Sequence, residues 1–404
     1  MVPTHHGCDA ASGRQRSGRW PAGEGLSGQN RKVDESIRVA VTVEQCWHRV
    51  PGGTATSTLG TLSALADRAD LEPIGVAARH GAPPTDAFVP PIPVVHLGLP
   101  RPVLYESWHA LRWPKVERAT GPVDVVHGTA VAVPPSDAPL VMTIHDLAFL
   151  ADPTQATRHG NRFFRRGTEL ARRHAARVIV PSEATAAECR DAGFDPDSLR
   201  VVPWGVEICD VSDDDVAAAR SRHGLDRPFV LFVGTVEPRK NLAGVVGAME
   251  VVGAVHPEVD LVLVGPEGWN EDLAARLEPL ERAGVTVHRL GFVALPHLPV
   301  LYAACEAFCF PSLREGFGMP VLEAMAHGAP VVTSAGTATS EVGGDVALLV
   351  DPYDHEAIGK ALLRILDDRA LASELDRRGR ARAAGFTWGA VAEATVAVYR
   401  EVVR

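Results

Sequence analysis

The sequence predicts an α/β protein built from two doubly wound, Rossmann-like domains. Its 404 residues are more than one compact core usually holds and suit two domains of ordinary size. Apolar strand patterns such as residues 37–43 and 229–233 each lead into a turn with glycine and then into apolar residues at helical spacing. A strand, glycine turn and helix in this order open a doubly wound sheet, and both halves of the chain contain the order.

The composition excludes several classes of protein. Apolar residues make up 46% of the chain and charged residues 22%, which is typical of a soluble globular protein. Residues 206–404 hold 29 acidic and 18 basic side chains, and this excess argues against nucleic acid as the main partner. Because no run of 18 apolar residues occurs, we expect no membrane-spanning helix.

The first 36 residues differ from the rest of the chain. They are rich in Gly, Ser, Arg and His and lack the apolar region of a signal peptide. We therefore predict a disordered tail over residues 1–36, or a misassigned start codon. The six cysteines are scattered without a disulfide framework, which predicts a reducing, cytoplasmic location. The first domain is predicted at residues 37–205, an acidic linker at 206–227 and the second domain at 228–386.

The first predicted domain alternates strands and helices. Strands are predicted at residues 37–43, 71–77, 124–128, 140–144, 178–182 and 199–202, helices at 59–66, 104–118 and 158–177, and a proline-rich surface connection at 83–102. Gly52 and Gly53 follow the first strand, where such sheets bind phosphates. His145 follows a strand at the same edge, where ligands bind; the alternative is a structural core histidine. His127 is a second, less specific candidate.

Residues 158–177 form a strongly basic helical pattern with two phenylalanines. Three interpretations stay open: contact with an anionic membrane, binding of an anionic acceptor, and a solvated face.

The second predicted domain opens with an apolar strand that ends at Gly234, followed by Arg239, Lys240 and a helix. Arg binds phosphate in a bidentate manner and Lys acts as a point charge, so this pair predicts a diphosphate clamp. The alternative is a solvated pair of cations. Further strands are predicted at residues 259–264 and 285–290, and helices at 355–366, 371–383 and 388–403.

Residues 307–334 predict a strand, a glycine turn, a helix and another strand. Pro320 lies in the first helical turn and Gly328 just after the last. The turn Gly316-Phe317-Gly318 leaves free N–H groups at a helix N-terminus, which suit phosphate or sugar oxygens. Glu315 and Glu323 lie eight positions apart and are expected to accept from sugar hydroxyls; alternatively, Glu323 caps a helix and Glu315 is solvated. Cys305 and Cys309 are predicted to be small buried side chains rather than metal ligands.

These motifs resemble the E-x7-E signature of retaining glycosyltransferases with the GT-B fold, in particular glycosyltransferase family 4. The chain matches the pattern P-S-x-x-E-G-F-G-x-P-x-x-E-A-M-A-x-G-x-P-V-V and the motif G-x-x-x-P-R-K-N. Thr235 stands where some relatives carry an arginine. The resemblance covers residues 37–404 and implies two Rossmann-like domains facing a cleft, with a C-terminal helix at 387–404 that crosses back to the first domain.

The resemblance also implies an activity: retaining transfer of a hexose from a nucleoside-diphosphate sugar to a glycan or lipid-linked acceptor, as in polysaccharide biosynthesis. Mannose from GDP-mannose is the favoured donor, and UDP-hexoses and dTDP-rhamnose stay open. No Asp-x-Asp pair is placed to hold a metal–diphosphate complex, so we expect a metal-independent reaction. If the acceptor is lipid-linked, the protein would contact the cytoplasmic membrane face peripherally; a solvated basic face stays the alternative.

The resemblance implies a role for each candidate residue. The first glycine pair would lie beside the donor diphosphate, His145 near the transferred sugar, and the backbone around Val293 at the nucleobase. Glu315 would hold hexose hydroxyls and Glu323 the ribose. Alternatives are a nucleotide-sugar epimerase or other GT-B enzyme, and a non-catalytic sugar-nucleotide-binding protein. The missing G-x-G-x-x-G argues against an NAD-dependent oxidoreductase.

Overall fold

The computed structural model describes residues 36–48, 52–153, 157–266, 268 and 272–403. The prediction for residues 1–36 therefore lies outside the described residues, except at Ser36. Within the described residues, the strands form two sheets of seven and six strands. Neighbouring strands pair in parallel, as β-α alternation requires. The prediction of two Rossmann-like α/β domains is thus confirmed.

The first sheet has the strand order β3-β2-β1-β4-β5-β6-β7. Its strands are β1 (Ile37–Thr42), β2 (Leu71–Ala77), β3 (Val94–His96), β4 (Val125–Gly128), β5 (Leu140–Thr143), β6 (Ala175–Val180) and β7 (Leu199–Val201). The second sheet has the order β10-β9-β8-β11-β12-β13. Its strands are β8 (Phe229–Val233), β9 (Asp260–Val264), β10 (Val287–Gly291), β11 (Ala307–Phe310), β12 (Val331–Ser334) and β13 (Leu348–Val350).

Helices connect the strands, and the described ranges contain none that is both long and apolar enough to cross a membrane. They are α1 (Gly52–Ala66), α2 (Arg101–Leu111), α3 (Glu117–Thr120), α4 (Ala148–Ala151), α5 (Arg158–His174), α6 (Glu183–Asp191), α7 (Asp213–His223), α8 (Leu242–Gly253), α9 (Leu273–Arg282), α10 (Leu298–Ala304), α11 (Met319–Ala326), α12 (Ala338–Gly343), α13 (His355–Asp367), α14 (Arg369–Ala383) and α15 (Trp388–Val402).

The core of the second sheet consists of its central strands. Every residue of β8, β9 and β11 is buried, because helices cover both faces of a parallel sheet. Phe229, Phe232, Phe308 and Phe310 are each 0% exposed, and full burial of such a side chain contributes about 1.5–3 kcal/mol. Cys309 lies among them, and Cys305 is also buried, both as free thiols, which confirms their predicted burial.

The second sheet has a topological switch point between β8 and β11, where the order in which the chain adds strands changes from one side of β8 to the other. Chain connections from β8 lead to β9 and β10 on one side, whereas β11, β12 and β13 lie on the other. A crevice forms at the carboxyl ends of the strands at such a switch point, and it is the usual ligand site of doubly wound sheets. The two motifs of the second half follow these two strands, since β8 leads to Lys240 and β11 leads to Glu315.

The chain divides into two compact units. Unit 1 contains the described residues up to Thr143, Arg166–Arg177 and the C-terminal residues from Val396. Unit 2 contains Ile144–Arg165 and Val178–Thr395. The predicted domain boundaries at residues 205, 227 and 386 stay predictions.

Two local predictions in the first half were wrong. The helix predicted over residues 104–118 ends at Leu111, and Arg112 adopts a φ of 51°. Pro114 accounts for the break, because proline disfavours helical geometry at the residue before it and helices usually end at or before that residue. The proline-rich connection at residues 83–102 contains a strand, β3, at the edge of the sheet, where proline neighbours are tolerated.

The basic segment is a helix, α5, as predicted. Glu169 pairs with Arg172 at 2.9 Å and with Arg173 at 2.5 Å, so part of the positive charge is balanced within the helix. The membrane contact stays a prediction.

Candidate active site

Asn241 fixes the turn that follows β8. It adopts a φ of 58°, and its side-chain oxygen accepts from the N–H of Gly244 at 3.1 Å, which caps α8. Its amide nitrogen donates to the carbonyls of Pro311 at 3.0 Å and Pro352 at 2.7 Å. One side chain therefore ties the Arg239-Lys240 turn to the segment that follows β11.

The predicted cations and the first glutamate form one cluster within unit 2. Lys240 Nζ lies 2.5 Å from Glu315 Oε1, and Arg239 Nη1 lies 2.9 Å from Glu315 Oε2. Ser312 Oγ donates to Glu315 Oε1 at 2.7 Å, and Arg239 Nη2 lies 2.9 Å from Glu237 Oε1. The Glu315 side chain is only 9% exposed, so the alternative of a solvated loop acid is excluded.

The charges in this cluster stabilise one another. Burial alone would raise the pKa of Glu315, but Lys240 and Arg239 outweigh it and lower this pKa to about 2. Burial disfavours the charge of Arg239 as well, yet Glu315 and Glu237 raise its pKa. Burial lowers the pKa of Lys240, and Glu315 partly offsets this fall. Glu315 is therefore ionised at neutral pH and is paired with both basic side chains.

The glycine turn after Glu315 has no room for larger residues at two positions. A Cβ atom on Gly316 would lie 1.8 Å from the carbonyl oxygen of His145. Gly318 has a φ of 106°, and a Cβ there would lie 2.8 Å from Thr339 Cγ2. Helix α11 starts at the next residue, so the turn presents backbone amides at a helix N-terminus.

An aromatic chain places His145 beside this turn. The rings of His145 and Trp204 lie 5.2 Å apart, and those of Trp204 and Phe317 lie 5.4 Å apart. All three residues belong to unit 2. The structure therefore brings His145 together with the glycine turn through both its carbonyl and its ring.

Glu323 lies on α11 and bonds to a residue that the sequence did not indicate. The hydroxyl of Tyr302 donates to Glu323 Oε2 at 2.9 Å. Burial raises the pKa of Glu323, and the bond from Tyr302 partly offsets this rise. Tyr302 is 1% exposed and thus fixes the carboxylate from the interior.

The other predicted residues lie at strand or helix ends. Gly234 directly follows β8, and Val293 comes two residues after β10. Gly52 and Gly53 begin α1 in unit 1, which also contains His127, whereas the other candidates lie in unit 2. The ring nitrogens of His127 bond Tyr399 at 2.7 Å and Thr143 at 2.8 Å inside unit 1, which favours a structural role for this less specific candidate.

No group of three or more His, Cys, Asp or Glu side chains that could hold a metal ion is found across the described ranges.

The chain matches two family models. Residues 51–208 match Glycosyltransferase Family 4, and residues 213–382 match Glycosyl transferases group 1. The D-inositol 3-phosphate glycosyltransferase of Kineococcus radiotolerans is 32% identical over 293 residues, which cover 66% of this chain and 67% of that protein.

The chain belongs to glycosyltransferase family 4.

Another relative of this chain is the O-antigen chain mannosyltransferase B of Escherichia coli. It is 38% identical over 173 residues, covering 43% of this chain and 45% of that protein. The chain spans about half the length of the first curated relatives that it matches. The crystal structure of Anabaena HepE in complex with UDP and glucose has a TM-score of 0.70 at 20% identity, covering 90% of this chain and 100% of that one. This likeness concerns the fold, and the predicted GT-B fold is confirmed.

Several residues of the candidate site escaped sequence analysis. Neither Trp204, which contacts His145 and Phe317, nor Tyr302, which bonds Glu323, was predicted as a site residue. Ser182 and Thr185 at the start of α6 both donate to the carbonyl of Gly316, at 2.6 Å and 3.0 Å. These contacts join segments more than 100 residues apart, so no local pattern could reveal them.

Proposed function

We propose that this glycosyltransferase is a retaining, metal-independent hexosyltransferase that moves mannose from GDP-mannose to a glycan or lipid-linked acceptor. The observation that carries the proposal is the pair of cations, Arg239 and Lys240, held by Glu315 directly before a glycine turn at a helix N-terminus. Such a group of fixed donors suits the departure of a nucleoside diphosphate.

Breaking the bond to the donor sugar places negative charge on the β-phosphate. Arg239, Lys240 and the amides of Gly316, Phe317 and Gly318 would stabilise that charge. Because Glu315 holds both cations before the donor arrives, they need little reorganisation during the reaction. The two cations would supply to the departing diphosphate the positive charge that a metal ion can otherwise supply, which supports the metal-independent mechanism.

The two carboxylates would hold the hydroxyls of the donor. An ionised carboxylate has about four acceptor positions. Glu315 uses three of them for Arg239, Lys240 and Ser312, which leaves one for a hexose hydroxyl. Glu323 accepts from Tyr302 and retains positions for ribose hydroxyls.

The remaining candidates receive supporting roles in this proposal. His145 would contact the transferred sugar, since it lies against Gly316. Gly234 and the backbone at Val293 would contact the nucleotide, and Gly52 with Gly53 would approach its diphosphate.

The choice of mannose rests on relatives. The Escherichia coli relative is a mannosyltransferase by name, and so is the MMP alpha-(1->4)-mannosyltransferase of Mycolicibacterium hassiacum. A UDP-hexose is the second candidate, because the similar fold of HepE holds UDP and glucose.

A donor screen tests the assignment. Melting temperatures of the purified chain are compared with GDP-, UDP- and dTDP-sugars, and we expect the largest rise with GDP-mannose. Transfer from that donor to candidate acceptors is then followed, and the anomeric configuration of the product is determined by NMR. Inversion would contradict the retaining mechanism, and loss of activity in EDTA that metal restores would contradict metal independence. An epimerised donor, or binding without turnover, would favour the alternative enzymes or a binding protein.

Lys240→Ala tests the site itself. Removing one fixed donor to a developing charge costs about 3–4 kcal/mol in the barrier, so kcat should fall by about 100- to 1,000-fold while the protein stays folded. Lys360→Ala is the matched control, because Lys360 is exposed on α13 and pairs only with Glu356 among the ion pairs described. If Lys240→Ala and Lys360→Ala had the same kcat, the assignment of Lys240 to the active site would be refuted.

A further inference from the structure

Side chains of helix α6 and its N-cap contact both neighbours of Glu315, namely Arg314 and Gly316. Ser182 Oγ lies 2.6 Å and Thr185 Oγ1 3.0 Å from the carbonyl oxygen of Gly316, the residue after Glu315. Glu188 Oε1 lies 2.9 Å from the guanidinium of Arg314, the residue before it. The N-cap residue of α6 and two side chains within the helix thus contact the two neighbours of the proposed catalytic glutamate.

The helix is itself anchored at its beginning and along its length. Both oxygens of Glu341 accept from α6, one from the N–H of Glu183 at 2.8 Å and one from that of Ala184 at 2.7 Å. These N–H groups have no partner inside a helix, so the carboxylate caps them. The second oxygen of Glu188 accepts from the N–H of Leu147 at 2.9 Å. The position of α6 is therefore fixed with respect to the turn.

The two hydroxyls are buried and have defined roles. Ser182 is 2% exposed and Thr185 is 1% exposed. Ser182 Oγ accepts from the N–H of Thr185 at 3.1 Å, so its own proton is available for the carbonyl of Gly316. A buried carbonyl that accepts two hydroxyl donors is held more firmly than one that accepts a single bond.

Fixing this carbonyl also fixes the next amide. The peptide group is planar and trans, so the C=O of Gly316 and the N–H of Phe317 lie in one plane and point in opposite directions. The Cα atom of Gly316 also packs closely against the His145 backbone, since a Cβ added there would lie 1.8 Å from the carbonyl oxygen of His145. The direction of the Phe317 N–H is therefore set by Ser182 and Thr185.

We propose that Ser182 and Thr185 are positioning residues that aim the Phe317 amide at the β-phosphate of the departing nucleoside diphosphate. The inference rests on the proposed function, in which this amide is one of the donors to that phosphate. The two hydroxyls touch neither donor nor acceptor and act only through the Gly316–Phe317 peptide.

The test uses Thr185→Val, which is nearly the same size and removes the hydroxyl but not the Ser182 helix cap. Thr185→Ser is the conservative variant that keeps the hydroxyl. Thr61→Val is the matched control, because its hydroxyl bonds only within α1 among the contacts described. Steady-state kinetics, melting temperatures and calorimetric affinities for GDP and GMP are measured for each full-length protein.

We expect Thr185→Val to lower kcat by about tenfold, less than the loss of a whole donor, because the amide is misdirected rather than removed. Its affinity for GDP should fall several-fold while its affinity for GMP, which lacks the β-phosphate, stays at the wild-type value. Thr185→Ser should restore most of both losses, and Ser182→Ala should reproduce them with an added drop in melting temperature from the lost cap.

The inference would be overturned if Thr185→Val lowered the affinities for GDP and GMP equally. It would also be overturned if Thr185→Val kept the wild-type kcat and GDP affinity. In either case the Thr185 hydroxyl makes only a structural contact. Lys240→Ala separates this outcome from failure of the proposed function. If Lys240→Ala weakens GDP binding and Thr185→Val does not, the inference alone fails. If GDP does not bind, the same comparison is made with UDP and UMP, and absence of binding to both nucleotides overturns both proposals.

Discussion

The glycine turns after β1 and after β11 have similar sequences but different surroundings. Each consists of glycines that lead from a parallel strand into a helix, at Gly52-Gly53 and at Gly316-Phe317-Gly318. Among the described residues, a Cβ added to Gly52 or Gly53 would meet no atom within 4 Å. A Cβ added to Gly316 would overlap a carbonyl oxygen, and one on Gly318 would press on Thr339.

The difference shows that one sequence pattern serves two physical purposes. At Gly52 the backbone adopts a φ of 61°, so glycine is needed there for conformation alone. At Gly316 no unusual φ is involved, and glycine is needed because another backbone segment approaches it. The second turn is therefore rigid and enclosed by unit 2, whereas the first leaves space around its glycines.

The largest effect is expected from Gly316→Ala. The new methyl group would sit 1.8 Å from a backbone oxygen, so either the turn or the segment at His145 must move. We expect a loss of about 4 kcal/mol in the free energy of unfolding, beyond ordinary overpacking because neither partner is a flexible side chain. Urea unfolding and transferase assays measure the change. A variant with wild-type stability would show that the turn is not enclosed.

A smaller effect is expected from Glu315→Gln, and it should depend on pH. The folded-state pKa of Glu315 is about 2, below its ordinary value of 4.5, so its charge stabilises the fold above pH 4.5. This contribution, on the order of 3 kcal/mol, is lost as the pH falls from 4.5 towards 2. Urea unfolding of both proteins at several pH values should show a difference that shrinks with acid. A difference independent of pH would contradict the ion-pair description of the turn.

The smallest effect is expected from Gly53→Ala. The residue lies in the first turn of α1 with open space around it, so alanine should raise the free energy of unfolding by about 0.5 kcal/mol through reduced backbone entropy. Thermal unfolding beside Gly316→Ala provides the direct comparison. If Gly53→Ala destabilised the protein as much as Gly316→Ala, the contrast between the two turns would not exist.

Strands that are buried along their whole length were predictable from the sequence. Residues 307–310 were predicted and observed as a strand, because a run buried on both faces leaves no ambiguity of period. The short edge strand β3 escaped, since proline-rich sequence and partial burial give no such signal.

The sequence predicted which residues form most of the candidate site but not which of them bond to one another. The spacing of Glu315 and Glu323 and the Arg239-Lys240 pair are visible in the sequence. Lys240 bonds Glu315 because strands β8 and β11 lie side by side at the switch point. Tyr302 bonds Glu323 because helix α10 packs beside helix α11. Contacts set by tertiary packing leave no mark in a single sequence.

Few residue types could replace Asn241. Glycine would accept its left-handed backbone but would lose the amide that joins Gly244, Pro311 and Pro352. Aspartate would accept the backbone yet turn a repelling oxygen towards two carbonyls, and longer side chains are strained in this conformation. A saturation library at this codon should therefore return asparagine almost alone among the active clones.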